Sequence, residues 1–185
     1  MYRSKLITLR PFSEDDAPWI VEMKSDFNDI RSYIGRPYPN DLKGEKEWIG
    51  KMYHGGILTS IFLAVEENES RQFVGYVAAS NINYINRNAT VGVFFHKAGR
   101  GKGYYREAQV LFYAYLFNEI NLHKLNSTII PYNEVAVRIT AEIGFTTDGI
   151  RKEQIYQNGR YHDEILISLM KDDFFRLNGV TQLVI

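Results

Sequence analysis

Three glycines and four basic residues are set into His96–Ala108, HKAGRGKGYYREA, and this stretch has the residue types and spacing to do chemistry. It follows a run of β-branched and aromatic residues, TVGVFFH (Thr90–His96), and precedes a helical pattern over about Tyr104–Glu119. Gly99, Gly101 and Gly103 allow positive φ and a close approach of backbone to a ligand. The first amides of the helix have no partner within it and face any anion placed there. Arg100 and Lys102 add positive charge, so the segment reads as a phosphate cradle or, more blandly, as a glycine-rich turn with surface charges. Spacing excludes two cradles. A P-loop needs Ser or Thr after its Gly-Lys, and Lys102 is followed by Gly103. A dinucleotide fingerprint needs a third glycine where this chain has Arg106.

A second pattern lies downstream. NEVAVRITAEIGF, Asn133–Phe145, has helical spacing, an N-cap residue in Asn133 and a natural left-handed stop in Gly144. The two segments together carry a resemblance. Arg100-Gly101-Lys102-Gly103-Tyr104-Tyr105 resembles the acetyl-CoA signature R/Q-x-x-G-x-G/A of the GNAT N-acetyltransferases, with Tyr105 where the pattern has Gly or Ala. Asn133–Phe145 resembles that family's N-x-x-S/A-(x)7-G-F helix through Asn133, Ala136, Gly144 and Phe145. The opening ITLRPFSEDD and the closing DGIRKEQIYQNGRYHDEILISLM are similar to the family's first strand and last hairpin. The similarity covers about residues 5–173 and is nearest the branch of ribosomal-protein N-terminal and spermidine acetyltransferases.

The resemblance implies an α/β GNAT fold, a mixed central sheet with helices on both faces. It implies one domain over residues 1–173, with 174–185 as an extension packed on the core or on a dimer partner. It also implies direct transfer of an acetyl group from acetyl-CoA to a primary amine, on a small molecule or a protein N-terminus. The amides of Arg100, Gly101, Lys102, Gly103, Tyr104 and Tyr105 would hold the pyrophosphate. Asn133 would touch the pantetheine arm, and a strand amide at Phe94 or Phe95 would meet the oxyanion. Two proton-handling positions depart from the family. Thr140 stands where many members have a tyrosine acid, and Thr90 where many have a glutamate base. Tyr33, Asn81 and Tyr132 are the expected replacements; Tyr33 lies in RSYIGRPYP, which shapes the acceptor pocket in related enzymes. These departures leave a non-catalytic acyl-CoA-binding module as the alternative.

These residues need a scaffold, and the rest of the chain supplies one. Its 185 residues, 45% apolar, make one ordinary domain. Twenty-two basic residues balance twenty-two acidic ones, which removes any global electrostatic pull toward nucleic acid. With no cysteine there is no disulfide, thiolate ligand or thiol nucleophile, and four scattered histidines show no metal spacing. No run approaches the roughly 18 apolar residues of a membrane span. MYRSKLITLRPF lacks the apolar core of a signal peptide, so a cytoplasmic location is expected.

The expected order is β-α-α-β-β-β-α-β-α-β-β. LITL (Leu6–Leu9) opens it. Ser13 and Asp16 form a capping box before a helix whose apolar residues run from Ile20 to Ile34. A short helix follows over Glu45–Tyr53, then strands at Ile61–Glu67, Gln72–Ile82 and Thr90–His96. Leu125–Ile130 is a strand, and two last strands flank Asn158-Gly159, a strong hairpin signal. His96 is expected to be solvated and His123 to be structural. The apolar tail from Phe174 is expected to pack rather than dangle.

Overall fold

The computed structural model describes residues 2–26, 40–53 and 57–180. Among them the strands are β1 Tyr2–Arg3, β2 Ile7–Arg10, β3 Ile61–Glu67, β4 Phe73–Asn83, β5 Asn88–Phe95, β6 Lys124–Ile129, β7 Thr146–Gln157 and β8 Arg160–Met170. They form one sheet in the order β1-β2-β3-β4-β5-β6-β8-β7. β5 and β6 are parallel and every other neighbouring pair is antiparallel. A parallel pair needs a crossover, and helix α3, Tyr104–Asn118, makes it. The other helices are α1 Ala17–Ser25, α2 Leu42–Lys51, α4 Glu134–Ile143 and α5 Lys171–Asn178.

Strand alternation sorts the side chains of β5 to two sides. Ala89, Val91, Val93 and Phe95 join the larger core, which packs on α3, α4 and α5 through Phe112, Tyr113, Phe117, Ile143 and Phe174. Phe94 turns the other way, to a smaller group with Phe12, Tyr76 and Ala78 under Ile20 of α1 and Ile49 of α2. The sheet therefore has helices on both faces.

Local signals explain the element ends. The Asp16 carboxylate accepts from the Ser13 N–H at 2.8 Å in the expected capping box. Asn133 caps α4 by accepting from the Ala136 N–H at 3.2 Å, and Gly144 ends it at φ 113°. Asn158 and Gly159, at φ 54° and 77°, turn the β7–β8 hairpin. One helix differs from expectation. α1 does not run on toward Ile34 but stops at Ser25, because Asp26 is extended. The Ser25 hydroxyl donates back to the Val21 carbonyl at 2.7 Å, the local bonding that makes Ser and Asp poor helix interiors. Ile30, Tyr33 and Ile34 lie outside the described residues. Helix α5 runs across residue 173 and buries Phe174 completely.

Candidate functional site

β5 and β6 stay together for only three residues, from Asn88–Lys124 to Thr90–Asn126. β5 then follows β4 to Phe95, and β6 follows β8 to Ile129. Side chains take over where the backbones part: the Ser127 hydroxyl donates to the Val91 carbonyl at 2.9 Å. A cavity of about 330 Å³ occupies the gap. Val93, Tyr105, Gln109, Tyr113 and Thr140 line it from the α3–α4 side, and Phe62, Tyr76, Ala78, Thr90 and Phe94 from the α1–α2 side. The cavity thus joins the two faces through the sheet.

The register decides which amides face it. The His96 N–H donates to the Val74 carbonyl at 2.9 Å. N–H and C=O of one residue share a side in an antiparallel ladder, and the side alternates along the strand. Phe94 is therefore directed at its β4 partner Tyr76, and the amides of Val93 and Phe95 face the gap. The Phe95 carbonyl points there too, within 3.5 Å of Arg100 Nη2. Of the two amides expected from sequence, Phe94 thus has its backbone in the β4–β5 ladder and its ring stacked on Tyr76 at 4.6 Å. Val93 was not foreseen, since nothing in TVGVFFH says which residues pair with β4.

The glycine loop has the form of a cradle. Gly101 and Gly103 sit at φ 74° and 81°, and a Cβ at either would meet nothing within 4 Å. Gly103 is the N-cap of α3, fifteen residues long, whose first amides and positive dipole end face outward beside it. These residues fit a pyrophosphate. Gly99 has another role than the one expected: it needs no positive φ, but a Cβ there would lie 3.0 Å from Val74 and 3.1 Å from Phe95, so the loop's root packs against β4 and β5. Lys102 is half-exposed, 3.7 Å from Glu67. The Tyr104 phenol donates to the same carboxylate, which pushes the phenol up to about 12. Hydrogen bonds from Ser70 and Tyr104, with Lys102 nearby, hold the Glu67 carboxyl below the usual range.

His96 is not solvated, contrary to expectation. It is 4% exposed, its Nδ1 accepts from the Ala98 N–H at 3.2 Å, and its ring meets Trp19 edge-on at 5.1 Å. Its Nε2 lies 3.3 Å from the Glu22 carboxylate of α1, which also meets Lys97 at 2.8 Å. Lys97 first, and then His96, lower the Glu22 carboxyl. The sequence hid this because a histidine at a strand end packs only if a helix distant in the chain covers it.

Other expected residues divide. Asn133 and Thr90 line the cavity. Thr140 lines it as well, but its hydroxyl donates to the carbonyls of Ala136 and Val137 at 2.7 and 3.2 Å, a proton spent on its own helix. Asn81 is exposed at a bulge in β4 with φ 52°; it is not itself among the described residues that line the cavity, though its neighbour Ser80 is. The Tyr132 phenol donates to Gln157 on β7, with its ring 5.1 Å from His162. His123 joins structure through its backbone, to Arg87 and Lys171. Gln109 and Tyr113 were missed. They follow Tyr105 at i+4 and i+8, and a glutamine among the apolar residues of α3 was the available signal. The Tyr113 phenol, fully buried, donates to Gln109 at 3.0 Å, and burial pushes it well up.

Residues 7–146 match the family model described as an acetyltransferase (GNAT) domain. Spermidine N(1)-acetyltransferase of Vibrio cholerae is 29% identical, the match covering 85% of this chain and 88% of the relative. The corresponding enzyme of Escherichia coli is 23% identical over 91% of this chain and 88% of the relative. Among solved structures, the Vibrio cholerae spermidine N-acetyltransferase in complex with CoA and spermine superposes with a TM-score of 0.84 at 27% identity, covering 93% of this chain and 99% of that one.

Proposed function

Because this chain belongs to the GNAT acetyltransferase family, and so moves an acetyl group from acetyl-CoA to an amine, we propose that its acceptor is a small primary amine of the polyamine class. The observation that carries the reading is the cavity passing through the sheet where β5 and β6 part. It lets two substrates meet from opposite faces.

On the α3 side, the amides of Arg100–Tyr105 would hold the pyrophosphate, with Arg100 and Lys102 adding charge. Asn133 and Val93, which line the cavity, would flank the pantetheine arm along the gap, with the Phe95 backbone directed there by register. When bound, acetyl-CoA supplies an activated thioester. The Val93 and Phe95 amides, aimed into the gap by register, are suited to the oxyanion that develops there. On the α1–α2 side the mouth is aromatic, with Phe62, Tyr76 and Phe94 around it. Ring faces attract an alkylammonium, each such contact contributing about 0.5–2 kcal/mol, and their apolar area suits an aliphatic chain. An alkylammonium has a pKa of about 10.4 and must shed a proton before attack. No carboxylate lines the cavity among the described residues, so water is the route by which that proton leaves. Transfer is then direct, in a ternary complex, and it draws on the cytoplasmic pool of acetyl-CoA.

The test is thiol release from acetyl-CoA over polyamines, amino sugars, aminoglycosides and N-terminal peptides. Spermidine or spermine should give the highest kcat/KM, with intersecting double-reciprocal plots. Preference for N-terminal peptides would move the acceptor to proteins. Parallel plots would replace direct transfer with an acetyl-enzyme.

A further inference from the structure

We propose that Glu67 is a positioning residue for the cofactor cradle: its carboxylate holds the Tyr104 phenol, and so fixes the first turn of α3 and the glycine loop before acetyl-CoA arrives. The loop needs such a hold. Gly101 and Gly103 sit at positive φ with open space beside them, so close packing does not fix them. Glycine also loses more conformational freedom on ordering than any other residue. At its root the loop is wedged by Gly99, where a Cβ would lie 3.0 Å from Val74. At its far end, Tyr104 is the first residue after the N-cap Gly103. Its side chain is buried, and its phenol donates to Glu67 at the end of β3, 37 residues away in the chain.

The anchor is itself rigid. The Glu67 N–H donates to the Gln72 carbonyl at 2.9 Å, and its carbonyl accepts from the Arg71 N–H at 3.0 Å, which closes the β3–β4 turn. The Ser70 hydroxyl donates to the carboxylate as well. Lys102 Nζ lies 3.7 Å from it and 5.7 Å from the centre of the Tyr104 ring. The carboxylate thus gathers a hydroxyl of the turn, the phenol of the helix and a cation of the loop. That phenol, pushed up to about 12 chiefly by its bond to Glu67, keeps its proton at neutral pH and stays a donor. On the helix side, the Glu107 N–H closes the first turn on the Gly103 carbonyl at 3.3 Å. A cradle ordered in advance leaves less ordering cost to the binding step.

This inference rests on the glycine loop being the cofactor site, a reading tested separately in the wild-type protein, where CoA should slow hydrogen exchange at the amides of Arg100–Tyr105. Without that protection the reading falls, and this inference with it. The inference itself is read from the Kd of CoA, measured by calorimetry. Glu67→Ala and Tyr104→Phe should each raise it about tenfold, the scale of one hydrogen bond to a charged group. The double variant should not multiply the two losses, because both remove the same bond. Glu67→Gln keeps an acceptor for the phenol and should bring Kd back to within about threefold of wild type. In the free protein, exchange at the Glu107 amide should be faster in Glu67→Ala than in wild type. An unchanged Kd in Glu67→Ala, with only a lower Tm, overturns the proposal and leaves Glu67 structural. Tighter binding overturns it too, since Glu67 would then act by repelling the phosphates. So does a loss that Glu67→Gln does not repair.

Discussion

Beneath α3, α4 and α5 the sheet carries a continuous apolar core in which Phe112, Leu116, Phe117, Leu125 and Phe174 are wholly buried. Beneath α1 and α2 the apolar group is smaller and aromatic, and ions fasten it. Arg10 there joins Asp16 at 2.8 Å and Glu66 at 2.6 Å, and Lys24 joins Glu45 at 2.7 Å while lying 4.8 Å over the Trp48 ring. Asp16, Glu45 and Glu66 are all buried. Apolar burial is non-directional and additive, so the first face holds α3 firmly against the strands that it must serve. Buried ion pairs recover little net energy after desolvation, but they demand a particular geometry. On the proposed function the difference separates two tasks: one face would fix the cradle, and the other would shape the acceptor's entrance.

The contrast is tested most strongly by Phe112→Ala. Phe112 has no exposure, and the cavity left should cost about 3–5 kcal/mol in denaturant unfolding. A loss below about 1 kcal/mol would mean that the α3 face is not the stability core. Arg10→Ala should come next, at about 2–4 kcal/mol, because it takes the guanidinium away from two buried carboxylates, Asp16 and Glu66, with Glu66 keeping Arg71 at 2.8 Å. The acetyl-CoA-dependent rise in Tm should be unchanged in this variant, since the cradle rests on the other face. If that rise disappears, the faces are coupled and the division of tasks fails. The smallest effect is expected at Glu22, which ties α1 to the root of the glycine loop. Its carboxyl is lowered by Lys97 and His96, so its contribution is present above the ordinary glutamate pKa of about 4.3 and is lost as pH falls through the lower folded value. Wild type and Glu22→Gln should differ in Tm at pH 7 and converge in acid. A gap that does not narrow as pH falls through the acid range would show that the contact is not ionic.

Much of the cradle was legible from residues alone. Gly101 and Gly103 take up positive φ, Asn133 caps α4, Gly144 stops it and Asn158-Gly159 turns the last hairpin. Each of these is decided within a few residues, by the absence of a Cβ or by a side chain reaching its own backbone. The early stop of α1 was local too, in Ser25 and Asp26, yet the apolar spacing running on to Ile34 masked it. Four further features depend on partners far along the chain. Val93 rather than Phe94 turns its amide to the gap because of how β5 registers on β4. His96 is buried because α1 lies over it, and Gly99 is glycine because Val74 crowds it. The cavity itself exists because β6 leaves β5 after Asn126 to follow β8. The sequence by itself determined the conformations that single residues impose on their own backbone, and with them the glycine loop and its neighbouring helix. Tertiary structure alone decided which amides, hydroxyls and rings converge on the gap, because strand register and helix docking are set by contacts between segments that the local chain does not specify.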